Sequence, residues 1–276
     1  MKTKKIITMQ DISCYGQCSI TVALPVLSAY GFETAILPSA ILSTHTAGFK
    51  DFFVHDLSDD LPKIIAHWKK ENVKFDVLYS GYLGDNRHFE YLLDIKRHLL
   101  NKGSLVVVDP VMGDHGKLYP AFGPDYVDHM RAILKEADII LPNLTEACFL
   151  SGKEYKEVYD EAYIKDVIKG LKKVGAKTVV LTGVSYEKGK TGVVIDNGKY
   201  QYYCHDKLET SYHGTGDVYS SSFIGMYLKT NDLYYSAKCA ADFVVECIKK
   251  TVGDDTHQYG VKFESVLAEF INNKIK

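Results

Sequence analysis

The chain predicts an α/β fold built on a mostly parallel sheet with helices on both faces, and three observations carry that reading. Short apolar runs alternate with amphipathic stretches of helical period. One run, Leu105–Val108, is unbroken Leu and Val, the mark of a strand buried on both faces. The chain has 276 residues, of which 46% are hydrophobic and 25% charged, the proportions of an ordinary globular domain. No Pro/Ser-rich linker, repeat or low-complexity tract divides it, so residues 1–276 read as one domain.

The elements follow in order. Lys5–Met9 is a strand, and Ser19–Tyr30 a helix stopped by Gly31. Thr34–Leu37 is a short strand, Leu61–Lys70 a helix, Asp76–Tyr79 a strand, and Phe89–Leu100 a helix ended near Gly103. After Leu105–Val108 come the helix Asp125–Lys135 and the strand Asp138–Leu141. Glu157–Val174 is a long amphipathic helix with Gly175 placed to cap it. Lys177–Leu181 is another buried strand. Thr191–Asp196 and Tyr200–His205, joined by Asn197-Gly198, predict a hairpin with a type I′ turn. Three helices finish the chain: Asp217–Lys229, Tyr234–Lys250 and Phe263–Asn272.

Bulk properties exclude several function classes. The formal net charge of −2 gives no electrostatic reason to bind nucleic acid or an acidic membrane. Ile6–Met9 is too short for a signal-peptide core, and no apolar run reaches membrane-spanning length, so a cytoplasmic protein is expected. The six cysteines form no CxxC pair and the histidines no HExxH, so reduced structural thiols are expected rather than a metal centre. Cys14 and Cys18, four apart, lack further ligands.

Two motifs are decoys. Gly183–Thr191 resembles a phosphate-binding P-loop, but it has one residue too many between its glycines and leads into a strand. Asn143-Leu144-Thr145 matches a glycosylation sequon in a chain without a secretory signal. No GxGxxG follows a predicted strand, which argues against a dinucleotide-binding fold.

In a parallel sheet, ligands bind beyond the carboxyl ends of the strands. Here those ends carry Asp11, Ser80-Gly81-Tyr82, Asp109-Pro110, Pro142-Asn143 and Thr182-Gly183. The most informative stretch is His213-Gly214-Thr215-Gly216-Asp217, followed by a small-residue run that opens a helix. Glycines expose consecutive N–H groups and the helix N-terminus adds positive partial charge, so the segment reads as an anion hole. An aspartate in such a hole fits a base that takes a proton from a hydroxyl attacking the held phosphoryl group. The plainer reading is an acidic residue favoured by the helix dipole. Asn143 and Glu146 read as a capping box, with Glu146 also suited to a hydrated Mg²⁺. Asp109 reads as a turn former or a Mg²⁺ ligand. Met112–Gly123 reads as a long mobile lid whose Tyr119 shields phosphates, and Ser43–Phe49 as a set of small hydroxyls for a polar substrate.

These motifs together resemble the pyridoxal/pyridoxamine kinases of the ribokinase-like superfamily. The resemblance covers almost the whole chain. It rests on Gln10-Asp11 with Gly16, Ser43-Thr44-His45-Thr46 and Leu78–Gly84. It continues through Asp109–Gly113, Pro142–Glu146 and Gly214–Asp217. It implies a three-layer α/β/α sandwich and phosphorylation of the 5′-hydroxymethyl group of a B6 vitamer by MgATP. By that likeness Asp217 is the base and Gly214, Thr215 and Gly216 supply the anion hole. Asp109 and Glu146 serve Mg²⁺ and the phosphates, with Asn143 close by, and Thr182 touches ATP. Thr46 and Tyr82 line the vitamer pocket. The family usually forms homodimers, and many members respond to K⁺. Where relatives commonly carry a serine facing the pyridine nitrogen, this chain has Asp11, with Ser13 two residues on. Three rivals stay open: a hydroxymethylpyrimidine kinase, a sugar kinase, and a vitamer-binding protein without turnover.

Overall fold

The computed structural model describes residues 3–46, 48–210 and 212–274. The chain starts with β1 (Lys5–Ser13), α1 (Ile20–Ala29), β2 (Glu33–Leu42) and β3 (Val54–Asp56). It continues through α2 (Leu61–Lys70), β4 (Phe75–Ser80), α3 (Arg87–His98) and β5 (Leu100–Val108). Next are the small β6 (Gly113–Asp114) and β7 (Lys117–Leu118), α4 (Pro124–Leu134), β8 (Ile139–Ile140), α5 (Leu144–Ser151) and α6 (Glu161–Val174). The C-terminal part has β9 (Thr178–Val184), β10 (Lys190–Asp196), β11 (Tyr200–Asp206), α7 (Thr215–Thr230), α8 (Leu233–Thr251) and α9 (Glu264–Lys274).

Nine strands form one sheet in the order β11-β10-β9-β8-β5-β4-β1-β2-β3. The six strands from β9 to β2 run parallel, and antiparallel strands close both edges. Successive residues of the central strands enter opposite apolar layers. Ile7, Leu78 and Val106 pack with α2 to α6, while Ile6, Tyr79 and Val107 pack with α1, α7, α8 and α9. That is why Leu105–Val108 carries no polar alternation: both faces are covered. The three-layer sandwich with a mostly parallel sheet is as expected.

Several boundaries differ from the sequence reading, each for a local reason. β1 runs on to Ser13 because its ladder with β2 resumes past an irregularity between Gln10 and Ile12. Its last turns of pleat are polar, which interrupts the apolar run. β2 continues through Pro38 to Leu42. β3 pairs only with Ala40–Leu42, so on that side Pro38 needs no ladder N–H. β3 itself is three exposed residues and gives no hydrophobic signal. α6 begins at Glu161, not Glu157, because the Asp160 side chain accepts from the Tyr163 N–H and caps it there. Gly175 caps its other end at φ 119°. The β10–β11 turn is not type I′: Asp196 pairs with Tyr200 across a three-residue loop, and only Gly198 of the Asn197-Gly198 pair takes positive φ. The Gly183–Thr191 stretch spans the end of β9, the polar connection at 185–189 and the start of antiparallel β10, so it does not open a helix.

α7 crosses α1 closely enough that Gly225 faces the Tyr30 ring, whose hydroxyl pairs with Ser222 Oγ at 2.9 Å. A Cβ on Gly225 would stand 2.4 Å from Tyr30 Cδ2. Gly225→Ala therefore overpacks a rigid contact and is expected to cost about 1–3 kcal/mol, read as a lowered Tm. An unchanged Tm would show that Tyr30 moves aside freely.

Candidate active site

The carboxyl ends of the parallel strands converge with the N-terminus of α7. β1 delivers Asp11 and Ser13, β4 leads into Gly81 and Tyr82, β5 leads into Asp109, β8 leads to Asn143, and β9 carries Thr182. Asn143 and Thr182 bridge each other in parallel fashion, and Thr182 N–H donates to Pro142 O at 2.9 Å. Gly81 is fixed by crowding, because a Cβ there would lie 2.6 Å from Gln10 Oε1.

α7 starts at Thr215, two residues earlier than the sequence reading, so Asp217 stands in its first turn. Gly214 takes φ 77° and lies against the backbone before α1, where a Cβ would meet Gln17 O at 1.7 Å. Gly216 is exposed with open space before it. The arrangement leaves the first N–H groups of a sixteen-residue helix facing outward beside a carboxylate. Asp217 is partly buried. Burial raises its pKa to about 7; the Ser19 backbone N–H pulls it down, and the charges of Asp109 and Asp11 push it up.

Asp109 is 6% exposed and accepts from Ser220 Oγ at 2.7 Å. Burial raises it to about 7 against that hydrogen bond. Ser220 lies one helical turn beyond Asp217, so α7 presents both residues to the same site. Glu146 is 3% exposed. The capping box is formed: Glu146 N–H donates to Asn143 Oδ1 at 3.0 Å, and Asn143 N–H to Glu146 Oε2 at 2.9 Å. Glu146 Oε1 accepts from Met112 N–H at 3.1 Å. Burial, then the Asp109 charge, push Glu146 well above the ordinary carboxylate range. Among the described residues, no Lys or Arg ion pair reaches Asp109, Glu146 or Asp217. No three His, Cys, Asp or Glu side chains among them form a metal-ligand group. Two buried carboxylates without a basic partner fit a hard cation that takes its remaining ligands from phosphate and water.

The Met112–Gly123 segment is not structureless. β6 and β7 make a small hairpin within it, held at its base by Asn143 Nδ2 donating to Gly113 O and at its turn by Gly116 N–H donating to Thr145 Oγ1. The sequon asparagine is thus engaged internally. Tyr119 is partly exposed, and burial followed by the charges of Glu146, Asp114, Asp109 and Asp217 raises its phenol. Phe122 packs on Tyr82 at 5.3 Å between centroids and stacks on Tyr126 at 3.9 Å.

At the other end of the cleft, Asp11 is 4% exposed and accepts from Ser13 Oγ at 3.0 Å. Burial raises its pKa, with hydrogen bonds from Ser19 and Ser13 opposing. The Tyr82 phenol is raised by burial and by Asp11. In the Ser43–Phe49 run the only buried hydroxyl is that of Thr44. Ser43 Oγ accepts from Phe53 N–H, Thr46 is exposed, and it is His45 that is enclosed, meeting Tyr259 O at 3.1 Å and the His213 ring at 5.6 Å. Ala47 of that run lies outside the described residues. Cys14 is exposed and Cys18 partly buried, with no metal group formed. Sequence reasoning missed Ser19, Ser220 and Phe122. Only Ser220 left a usable signal, its three-residue spacing from Asp217.

Residues 6–262 match the family model described as phosphomethylpyrimidine kinase. The chain belongs to the phosphomethylpyrimidine kinase family. Within it, the chain is similar to a Bacteroides thetaiotaomicron protein described as a phosphomethylpyrimidine kinase and solved in a crystal form with pyridoxal. The two share 36% identity over 98% of this chain and 96% of that one, at a TM-score of 0.91. It is also similar to the pyridoxal kinase of Lactobacillus plantarum, 31% identical over 99% and 98% of the two chains, TM-score 0.90. Among curated proteins, the pyridoxal kinase of Dictyostelium discoideum is 26% identical over 90% of this chain and 86% of its own. The fold is therefore the ribokinase-like one of the pyridoxal kinases.

Proposed function

We propose that this protein is a pyridoxal kinase: an ATP-dependent kinase that phosphorylates the 5′-hydroxymethyl group of a B6 vitamer. The observation that carries the reading is Asp217, a carboxylate raised to about 7 by burial, set in the first turn of α7 beside the exposed Gly216 N–H. Phosphoryl transfer needs positioning and charge stabilisation more than covalent chemistry. Asp217 orients and deprotonates the attacking hydroxyl, while Gly214, Thr215 and Gly216 hold the transferring phosphoryl group. Asn143 and Thr182 lie on the nucleotide side, and the adenine is met by Cys204–Tyr212 and the later helices, with Ser211 outside the described residues. Asp109 and Glu146 would hold Mg²⁺ with the phosphate oxygens; bound there, Mg²⁺ neutralises phosphate charge. Asp11, Ser13, Thr46 and Tyr82 receive the vitamer. The chain works as one domain, as a homodimer in the cytoplasm, with K⁺ as an activator; among the described residues no helix is long and apolar enough to cross a membrane.

The test is MgATP-dependent ADP release with pyridoxal, pyridoxamine, pyridoxine and hydroxymethylpyrimidine in parallel, with K⁺ present. Turnover of the B6 vitamers is expected. The family description favours hydroxymethylpyrimidine as the second reading, and turnover of that compound only would replace the first. Tight vitamer binding without turnover would point to a binding protein.

Asp11 sets vitamer preference in this reading. A carboxylate beside the ring favours a protonated pyridine nitrogen or the amine of pyridoxamine. Asp11→Ser is expected to shift the ratio of kcat/KM for pyridoxamine over pyridoxal toward pyridoxal by about tenfold, the scale of a lost hydrogen bond to a charged group. An unchanged ratio removes Asp11 from that role.

A further inference from the structure

α7 carries three consecutive buried serines, Ser220, Ser221 and Ser222, none more than 2% exposed. A serine inside a helix commonly turns its hydroxyl back to a carbonyl of the preceding turn, and a buried hydroxyl without a partner costs stability. The three have different fates. Ser222 Oγ pairs with the Tyr30 hydroxyl at 2.9 Å and so fastens α7 to the end of α1. Ser221 Oγ has no hydrogen-bond partner among the described residues. Ser220 Oγ reaches out of its own helix and donates to Asp109 Oδ2 at 2.7 Å, across 111 positions of sequence. Alanine would suit a buried helical position better, so helix formation does not account for that serine.

The main chain at Asp109 is held by the sheet. Its N–H donates to Ser80 O at 2.9 Å, and just before it Val108 O accepts from Leu141 N–H at 2.9 Å. A fixed backbone still leaves the side chain free to rotate. Among the described residues, Ser220 is the only group that donates a hydrogen bond to the Asp109 carboxylate. With Oδ2 taken, Oδ1 is the oxygen left to meet a hard cation. Ser220 also stands three residues beyond Asp217, one turn along the same face of α7. One helix thus carries the base itself and holds the carboxylate through a hydrogen bond.

We propose that Ser220 is a positioning residue: its hydroxyl ties the Asp109 carboxylate to α7, so that the oxygen offered to Mg²⁺ and the base Asp217 are held in one register. The proposal rests on the roles of Asp109 and Asp217 given above. Groups that orient a ligating carboxylate carry much of a metal site's affinity, and losing one costs about 10–100-fold in metal binding or activity. Phosphoryl transfer adds a demand of its own, because a misplacement of about 1 Å between reacting groups is costly. A single hydrogen bond between two elements meets both demands here.

The test titrates Mg²⁺ alone against Tm at pH 8, with initial rates of vitamer phosphorylation as a second reading. Ser220→Ala removes the donor. Ser220→Cys fills the same space with a weak donor, so the test does not depend on the small void that alanine leaves. Both are expected to raise the Mg²⁺ concentration at half effect about tenfold, in melts and rates alike, with vitamer KM little changed. Ser221→Ala removes an equally buried hydroxyl from the next position and is expected to keep the parent's Mg²⁺ response. Asp109→Asn marks the response to losing the ligand itself. A Ser221→Ala variant that matches Ser220→Ala, or a vitamer KM that rises as much as the Mg²⁺ requirement, overturns the proposal in favour of general packing of α7. A response that shifts in Asp109→Asn but in neither Ser220 variant overturns it while leaving Asp109 as a ligand. A response that shifts in none of them overturns both the proposal and the placement of Mg²⁺ at Asp109, and B6-vitamer turnover by the parent judges the kinase reading separately.

Discussion

Asp217→Asn is expected to lower kcat by about a hundredfold or more, the scale on which a positioned general base contributes. Asparagine preserves the shape and the contacts of the first turn of α7, so the fold stays intact. Tm holds or rises, because a partly buried carboxylate disfavoured in its ionised form is removed. The parent enzyme carries a matching pH signature. With its pKa at about 7, Asp217 is competent only after losing its proton, so kcat/KM rises with pH through about 7. Initial-rate profiles from pH 5 to 9 on the parent and the variant check both statements. A variant within tenfold of the parent's kcat would take Asp217 out of the chemistry and leave the anion loop as a binding device.

The strand ends that form the cleft were legible because parallel strands buried on both faces read as continuous apolar runs and stop at polar or glycine residues. Asp11, Asp109, Asn143 and Thr182 are found by that rule and Asp217 by its glycine-flanked helix start, and the structure brings those strand ends and that helix start together. What stayed hidden depends on contacts distant in sequence. Ser19, before α1, takes φ 54°, and no local pattern marks a serine with positive φ. Phe122 was absorbed into a loop because β6 and β7 have two residues each, too few to show a period. The enclosed His45 was read as one polar residue among hydroxyls, since its burial comes from Tyr259, more than two hundred positions away. β3 was invisible for the opposite reason: its side chains are exposed and its pairing is all backbone.

Glu146→Gln is expected to raise the Mg²⁺ concentration needed for half-maximal activity by about tenfold or more while leaving the fold intact, because it removes one of two hard anionic ligands. The fold survives since glutamine at the third helical position still completes the capping box with Asn143. One backbone N–H, of Met112 or Asn143, loses its charged acceptor. That cost is offset by ending the repulsion between Glu146 and Asp109. Burial fixes how the metal-free parent responds to pH. Asp109 has a folded pKa of about 7 against an ordinary 3.8, so between those values the native state holds a proton that the unfolded chain has released. Its contribution to stability is therefore greatest at low pH and is lost as pH rises toward and through about 7, an effect on the order of a few kcal/mol. Mg²⁺ requires the deprotonated ligands, so it should raise Tm far more at pH 8 than at pH 5. Glu146→Gln removes the second raised carboxyl and should flatten both the pH dependence of Tm and its response to Mg²⁺. Thermal melts across pH, with and without Mg²⁺, read all of this without any turnover. A parent whose Tm ignores Mg²⁺ at pH 8 would place the cation elsewhere and leave the two acids as a buried strain beside the β6–β7 hairpin.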